Sequence, residues 1–175
     1  LFDALTAAGL VVFALSGALA AARRGMDPFG FALLASVAGV GGGVTRDMLL
    51  SVPAIWIRDP TALVICAATG VTTFLLGRVF PRFIPWLEKR RALIWADAVG
   101  LALFAVTGAQ RALQHDAHWI SAITLGAATA SFGGVIRDLL AGERPLILHR
   151  DIYFTAAVAG AATYVGLTRA GAPMG

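Results

Sequence analysis

The chain has 175 residues, of which 58% are hydrophobic and only 14% are charged. In soluble globular proteins about 25% of the residues are charged, so this composition excludes an ordinary soluble protein. The charges are also clustered between long uncharged runs, which indicates a protein that lies in a lipid bilayer. The net charge of +4 would favour nucleic-acid binding in a soluble protein, but here we assign the cations to membrane loops and expect no nucleic-acid partner.

Six predominantly apolar segments approach the length of about 20 residues that a membrane-spanning helix needs. The first carries no charge, the second and fifth contain glycine runs followed by an Arg-Asp pair, and the fourth carries Asp97. In chain order the predicted spans are Ala4–Ala22, Pro28–Leu50, Thr61–Gly77, Ala92–Gln110, His118–Leu140 and Ile152–Thr168. Because the loops are short, we expect one compact bundle. The first residues lack the features of a cleaved signal peptide, so none is expected.

Loop charges predict the orientation of the chain, because cytoplasmic loops are enriched in Lys and Arg. Most of the 14 Lys and Arg residues lie in the first, third and fifth loops. We therefore expect these loops to be cytoplasmic and the N-terminus to lie outside. The third loop, Arg78–Arg91, mixes cations with aromatic residues, and this pattern predicts an interfacial segment in contact with anionic lipid headgroups.

The two halves of the chain align with each other at an offset of 91 residues, so that G-G-V-x-R-D occurs at 42–47 and again at 133–138. Each half contains three spans, an odd number, so the second copy must cross the membrane in the opposite direction. We therefore predict an all-α transmembrane fold of two inverted three-helix repeats. The repeats are 1–80 and 93–168, joined by a basic interfacial linker at 81–92 and followed by a tail at 169–175.

Glycine runs at Gly41–Gly43 and Gly133-Gly134 interrupt the second and fifth spans. Each glycine weakens a helix by about 1 kcal/mol relative to Ala, so we expect a kink or a short break there. A break would free backbone carbonyls, which can replace the hydration shell of a small cation. Transient cation contacts are therefore expected near Gly42 and Gly133, with no resident metal or cofactor. Close helix packing is the alternative role of these glycines.

Arg46-Asp47 and Arg137-Asp138 are charges inside predicted spans, where a charge costs about 2.5–3.5 kcal/mol at the bilayer centre. Either each arginine pairs with an aspartate as a structural clamp, or the carboxylates attract cations at a pore. Adjacent helical residues point about 100° apart, so pairing across the repeats, such as Arg46 with Asp138, is a third alternative. Asp97 could face either the interface or the bundle. Hydroxyl groups could line a polar path at Ser36, Thr45, Thr107, Thr129 and Ser131, although we expect most of them to hydrogen-bond within their own helices.

At G-G-G-V-T-R-D (41–47) and G-G-V-I-R-D (133–138), within a 3+3 repeat, the chain resembles the prokaryotic branch of the trimeric intracellular cation channel (TRIC) family. The resemblance implies a homotrimer in a bacterial inner membrane, with a pore for K⁺ and Na⁺ in each subunit between kinked second and fifth helices. It places Gly41, Gly42, Gly43, Gly133 and Gly134 at the kinks and Arg46, Asp47, Arg137 and Asp138 beside the constriction.

The resemblance also implies a seventh helix after the second repeat, which we expect to be absent or truncated here. Some bacterial relatives are thought to move glycine, so a secondary transporter of a small amino acid is the alternative function. We do not expect an enzyme, because the sequence shows no nucleophile–base pair, metal cluster or phosphate-binding loop.

Overall fold

The structure, a computed structural model, describes residues 2–145, 147 and 151–171 of the chain. Over these residues the chain forms helices and no strand. Six of these helices are long and two are short. The helices are α1 (Phe2–Arg23), α2 (Pro28–Leu49), α3 (Ile55–Arg58), α4 (Thr61–Val79), α5 (Phe83–Lys89), α6 (Ala92–Gln114), α7 (Trp119–Leu140) and α8 (Asp151–Arg169).

The six long helices coincide with the six predicted spans to within a few residues. Among the described residues, α1, α2, α4, α6 and α7 are long and apolar enough to cross a membrane, and α8 covers the sixth predicted span. Local chemistry sets the start of α2: the Asp27 carboxylate accepts a hydrogen bond from the Gly30 N–H at 2.8 Å, and Pro28 occupies the first helical position. The predicted linker contains the short helix α5.

Each half of the chain folds as one three-helix unit. In the first unit α1, α2 and α4 pack against one another, and in the second unit α6, α7 and α8 do the same. The two units meet through α1 against α6 and α2 against α7. These are the pairs that the 91-residue offset relates, and we call residues separated by that offset repeat mates.

The two units run in opposite directions, as the contacts between α1 and α6 show. Phe13 stacks on its repeat mate Phe104 with ring centroids 5.3 Å apart. A Cβ on Gly9 would lie 3.0 Å from the Phe104 ring, and a Cβ on Gly100 would lie 2.8 Å from the Phe13 ring. Earlier residues of one helix therefore meet later residues of the other. The predicted inverted repeat is confirmed.

Candidate functional site

Helices α2 and α7 cross at the centre of the molecule, where glycines let their backbones touch. A Cβ on Gly42 would overlap the carbonyl oxygen of Thr129, and a Cβ on Gly133 would overlap the carbonyl oxygen of Ala38. Ala38 and Thr129 are themselves repeat mates, so the crossing is pseudo-symmetric and antiparallel. No side chain larger than hydrogen fits at either glycine, as expected where membrane helices pack closely.

The helices are not broken at these glycines. Helix α2 continues through Gly41–Gly43 and α7 through Gly133-Gly134, so the prediction of a short break is wrong. The cost of about 1 kcal/mol per glycine is small, and the close contact between α2 and α7 offsets it. The carbonyls stay within a continuous helix, so the predicted cation contacts at freed carbonyls near Gly42 and Gly133 lose their basis. A bend without a break stays a prediction.

On one side of the crossing lies a buried ion cluster, which we call the Arg137 cluster: Ser16, Asp97, Arg137 and Asp138. The Arg137 side chain has no exposed surface. Both of its terminal nitrogens bind the Asp97 carboxylate, with Nη2 to Oδ2 at 2.9 Å. Its Nε donates to Asp138 Oδ1 at 2.8 Å, and Nη1 donates to Ser16 Oγ at 2.6 Å. Asp97 therefore faces the bundle, and Arg137 pairs with both carboxylates.

On the other side, Arg46 binds only one carboxylate among the described residues. Its Nε and Nη2 donate to Asp47 Oδ1 at 2.9 and 2.7 Å, and Asp47 Oδ2 accepts the Ile55 N–H at 3.3 Å. The repeat mate of Asp97 is Thr6, which supplies no charge. Each arginine thus pairs with the aspartate that follows it, and the alternative of pairing between repeats, Arg46 with Asp138, is wrong.

Two cavities flank the crossing and differ greatly in size. The large cavity, about 470 Å³, lies beside Arg46, and the small cavity, about 10 Å³, lies beside Arg137. Each residue that lines the small cavity has its repeat mate in the lining of the large one; Phe13 and Phe104 are one example. The two cavities are therefore the same site built twice, open in one half of the molecule and collapsed in the other.

The two arginines lie over glycines that precede them by one helical turn. A Cβ on Gly43 would lie 3.7 Å from Arg46 Nη2, and a Cβ on Gly134 would lie 3.7 Å from Arg137 Nη2 and 3.9 Å from Asp97 Oδ2. These are ordinary contact distances, so Gly43 and Gly134, unlike Gly42 and Gly133, leave room for a methyl group. The glycine run therefore has two roles, helix contact and space beside a guanidinium.

The predicted hydroxyls mostly bond within their own helices. Thr107 donates to the Leu103 carbonyl and Thr129 to the Leu125 carbonyl, while Ser131 donates to Ala127 at 2.7 Å. Thr107 and Thr129 also line the large cavity, and Ser131 lines the small one. These hydroxyl groups contribute polar surface to the two cavities, while each donates its proton in a hydrogen bond to a carbonyl of its own helix.

Several polar residues of the site were not predicted from the sequence, among them Arg111, Asp59 and Ser16. Arg111, which the sequence places in a loop, lies in α6 and lines the large cavity, because α6 continues to Gln114. Asp59 also lines it, and hydrogen bonds from the Thr61 hydroxyl and N–H lower the pKa of its carboxyl. Ser16 belongs to the Arg137 cluster. Among the described residues, no group of three His, Cys, Asp or Glu side chains could hold a metal ion.

Comparison with known proteins places this repeat in a family. A family model described as "Glycine transporter" matches the chain twice, at residues 3–78 and 94–169. These segments begin 91 residues apart, which supports the offset found in the sequence. The double match covers both three-helix units and the crossing between them.

Two curated relatives are similar to this chain over most of their lengths. The UPF0126 inner membrane protein YadS of Escherichia coli (strain K12) is 43% identical over 153 residues, 87% of this chain and 72% of that protein. The UPF0126 membrane protein YvgT of Bacillus subtilis (strain 168) is 36% identical over 160 residues, 91% of this chain and 77% of that protein.

Among solved structures, the TRIC trimeric intracellular cation channel orthologue from Rhodobacter sphaeroides superposes with a TM-score of 0.90 at 48% identity, over 98% of this chain and 86% of that one. A prokaryotic TRIC channel in 0.5 M KCl superposes with a TM-score of 0.85 at 29% identity, over 96% of this chain and 84% of that one.

Proposed function

Since the chain belongs to the TRIC-related glycine transporter family, we propose that it is a channel for monovalent cations, K⁺ and Na⁺, in a bacterial inner membrane. One of the similar solved structures is described as a trimeric intracellular cation channel orthologue and the other as a prokaryotic TRIC channel, and we extend the channel function and the homotrimer to this chain. Relatives carry the description of inner membrane proteins. The loop charges support an orientation with the first, third and fifth loops in the cytoplasm.

The pore of each subunit passes between α2 and α7, from the large cavity to the small one. The difference in size between these two equivalent cavities is the observation that carries this proposal. A space of about 470 Å³ beside Arg46 admits water and ions, whereas about 10 Å³ beside Arg137 holds no more than one water molecule. The path is thus open at one end and closed at the other.

The Arg137 cluster is the gate in this proposal. Arg137 lies across the path and is held by bonds from α1, α6 and its own helix. Its release from Asp97 would open the small cavity and present the Asp97 carboxylate to a passing cation. Asp47 and Asp138 flank the two ends of the path and attract cations there.

A recording from the purified protein in a planar bilayer tests the channel. We expect unitary K⁺ currents well above about 10⁶ ions per second, a rate that a carrier cannot reach because its cycle needs conformational steps of μs–ms or slower. An Arg58→Gln variant serves as the control, since Arg58 is exposed and does not line either cavity. Absence of unitary currents in an otherwise folded protein would contradict the proposal.

A secondary transporter of a small amino acid such as glycine is the second candidate. The specific observation in its favour is the pair of equivalent sites, one open and one closed, because alternating access in inverted-repeat carriers needs such an arrangement. Saturable glycine uptake into proteoliposomes without unitary currents would establish the carrier and exclude the channel.

The segment Arg78–Arg91 is the proposed contact with anionic lipids. It contains α5, in which Trp86 is about half exposed and carries the Arg90 guanidinium 4.9 Å above its ring. An aromatic ring beside a cation suits the headgroup region of a bilayer. Co-sedimentation with vesicles of differing anionic lipid content would measure this contribution once the protein is reconstituted.

A further inference from the structure

The large cavity contains one arginine, Arg111, for which the described part of the chain provides no ion-pair partner. Arg111 is partly buried in the last turns of α6, and its Nε is fully enclosed with no hydrogen-bond partner. Among the described residues it forms no ion pair, since the ion pairs found there involve other arginines. An enclosed N–H group without a hydrogen-bond partner costs free energy, and the rest of this guanidinium forms no ion pair that would offset that cost.

The acidic residues of the same cavity are already engaged. Asp47 binds Arg46 and the Ile55 N–H, and Asp59 is exposed and accepts both hydrogen bonds from Thr61. In addition, the positive charges of Arg111 and Arg46 repel each other. The cavity therefore contains two arginines and two aspartates, but among the described residues neither aspartate forms an ion pair with Arg111.

We propose that the large cavity binds a small carboxylate, with the guanidinium of Arg111 as its principal ligand. Arginine pairs with carboxylates through two parallel hydrogen bonds, a geometry that suits a planar anion. The volume of about 470 Å³ lies within the range of about 300–1,000 Å³ of small-molecule sites. Gln110, Gln114 and Thr6 line the cavity and can hydrogen-bond the remainder of a polar ligand.

The site exists in only one half of the molecule. The repeat mate of Arg111 is Ala20, which is completely buried, so the closed side carries no equivalent cation. The inverted repeat by itself therefore does not require this arginine. Conduction of a cation needs no anion site, so in a channel this site would be a further function. In the glycine carrier, the second candidate above, Arg111 would bind the carboxylate of the substrate, and the inference then rests on that proposed function.

Equilibrium dialysis with the full chain in detergent tests the proposal, with radiolabelled acetate and radiolabelled glycine as probes in low-salt buffer free of other carboxylates. Acetate carries the carboxylate alone, whereas glycine adds an ammonium group. We expect Arg111→Gln, which keeps hydrogen-bonding groups but removes the charge, to weaken binding about 10- to 100-fold, since bonds to charged groups are the strong ones. Arg58→Gln, outside the cavity, should bind as the unchanged protein does.

A second measurement separates loss of binding from loss of folding. The bound probe should raise the thermal unfolding midpoint of the unchanged protein and should not raise that of Arg111→Gln. Without ligand, the midpoint of Arg111→Gln should be no lower than that of the unchanged protein, because the substitution relieves charge repulsion. Binding of both probes, or of glycine or acetate alone, supports the site and identifies its occupant. The proposal is overturned if Arg111→Gln binds the probes as tightly as the unchanged protein does, or if neither probe binds at about 100 mM. This result does not depend on whether the protein conducts K⁺.

Discussion

Exchanging the residues at positions 6 and 97 should reverse which end of the path is closed. Asp97 gives Arg137 its second carboxylate, whereas its repeat mate Thr6 gives Arg46 none. Breaking a buried ion pair by removing one partner costs about 3–5 kcal/mol. Arg137 keeps Asp138 and Ser16, so we expect the lower figure, about 3 kcal/mol, for Asp97→Thr.

That free energy would act on both the gate and the fold. A loss of about 3 kcal/mol from the closed state corresponds to a shift of roughly 150-fold towards opening of the small cavity. If the same contacts are lost on unfolding, the thermal midpoint falls by roughly 6–12 °C for a chain of this length. Thr6→Asp should have the opposite effect at the other end, because it offers Arg46 a second carboxylate.

Thiol labelling at a matched pair of positions measures the shift. Ser131 lines the small cavity and its repeat mate Val40 lines the large one, so Ser131→Cys should react slowly and Val40→Cys quickly. The native Cys66 is completely buried and supplies only a low background. Asp97→Thr should accelerate labelling of Ser131→Cys and leave Val40→Cys unchanged. Thr6→Asp should slow labelling of Val40→Cys.

The combination of Asp97→Thr and Thr6→Asp should exchange the two labelling rates. If Ser131→Cys labels at the same slow rate in Asp97→Thr, although the thermal midpoint has fallen, then the Arg137 cluster supports the fold without controlling access, and the gate that we propose is wrong. If the midpoint and the rate are both unchanged, the ion pair itself contributes nothing measurable.

Three further predictions follow from single contacts. Gly133→Ala should lower the thermal midpoint and the K⁺ flux because its methyl group would overlap a carbonyl of α2. Gly134→Ala meets only ordinary contacts and should change the midpoint and the flux much less. Equal effects of the two substitutions would remove the distinction between these glycines. Asp138→Asn should lower K⁺ conductance by up to about 10-fold, since acidic groups concentrate cations at a pore. Unchanged conductance and selectivity in bilayer recordings would mean that this carboxylate has only a structural role. Thr61→Val should raise the pKa of Asp59 towards its ordinary value of 3.8, because the hydroxyl donor is lost; NMR titration checks this, and an unmoved pKa would mean that the N–H alone lowers it. The hydrogen bonds from Thr61 to the Asp59 carboxylate stabilise the start of α4 above pH 3.8, and this contribution is lost as the pH falls through the lowered pKa of Asp59.

The sequence predicted the spans and the repeat well because bilayer thickness sets helix length and the motif with its rare charges recurs in register. It could not predict which residues meet. Asp97 and Arg137 lie 40 positions apart, and their contact depends on how α6 and α7 are rotated about their axes. The predicted break was wrong for a related reason: a glycine run weakens a helix in isolation, but the sequence does not show that Gly42 and Gly133 rest on a facing backbone.

Two equal inverted repeats would give a path with equivalent ends, and neither end would be preferentially closed. The side with the small cavity has a carboxylate at position 97 and alanine at position 20, whereas the side with the large cavity has threonine at position 6 and an arginine at position 111. The first difference strengthens one ion cluster, and the second places in the other cavity an arginine that forms no ion pair among the described residues, which favours water there. Both differences bias the molecule towards the arrangement observed. A ligand that neutralised Arg111 would weaken that bias, so the asymmetry of the two halves also connects the anion site to the gate.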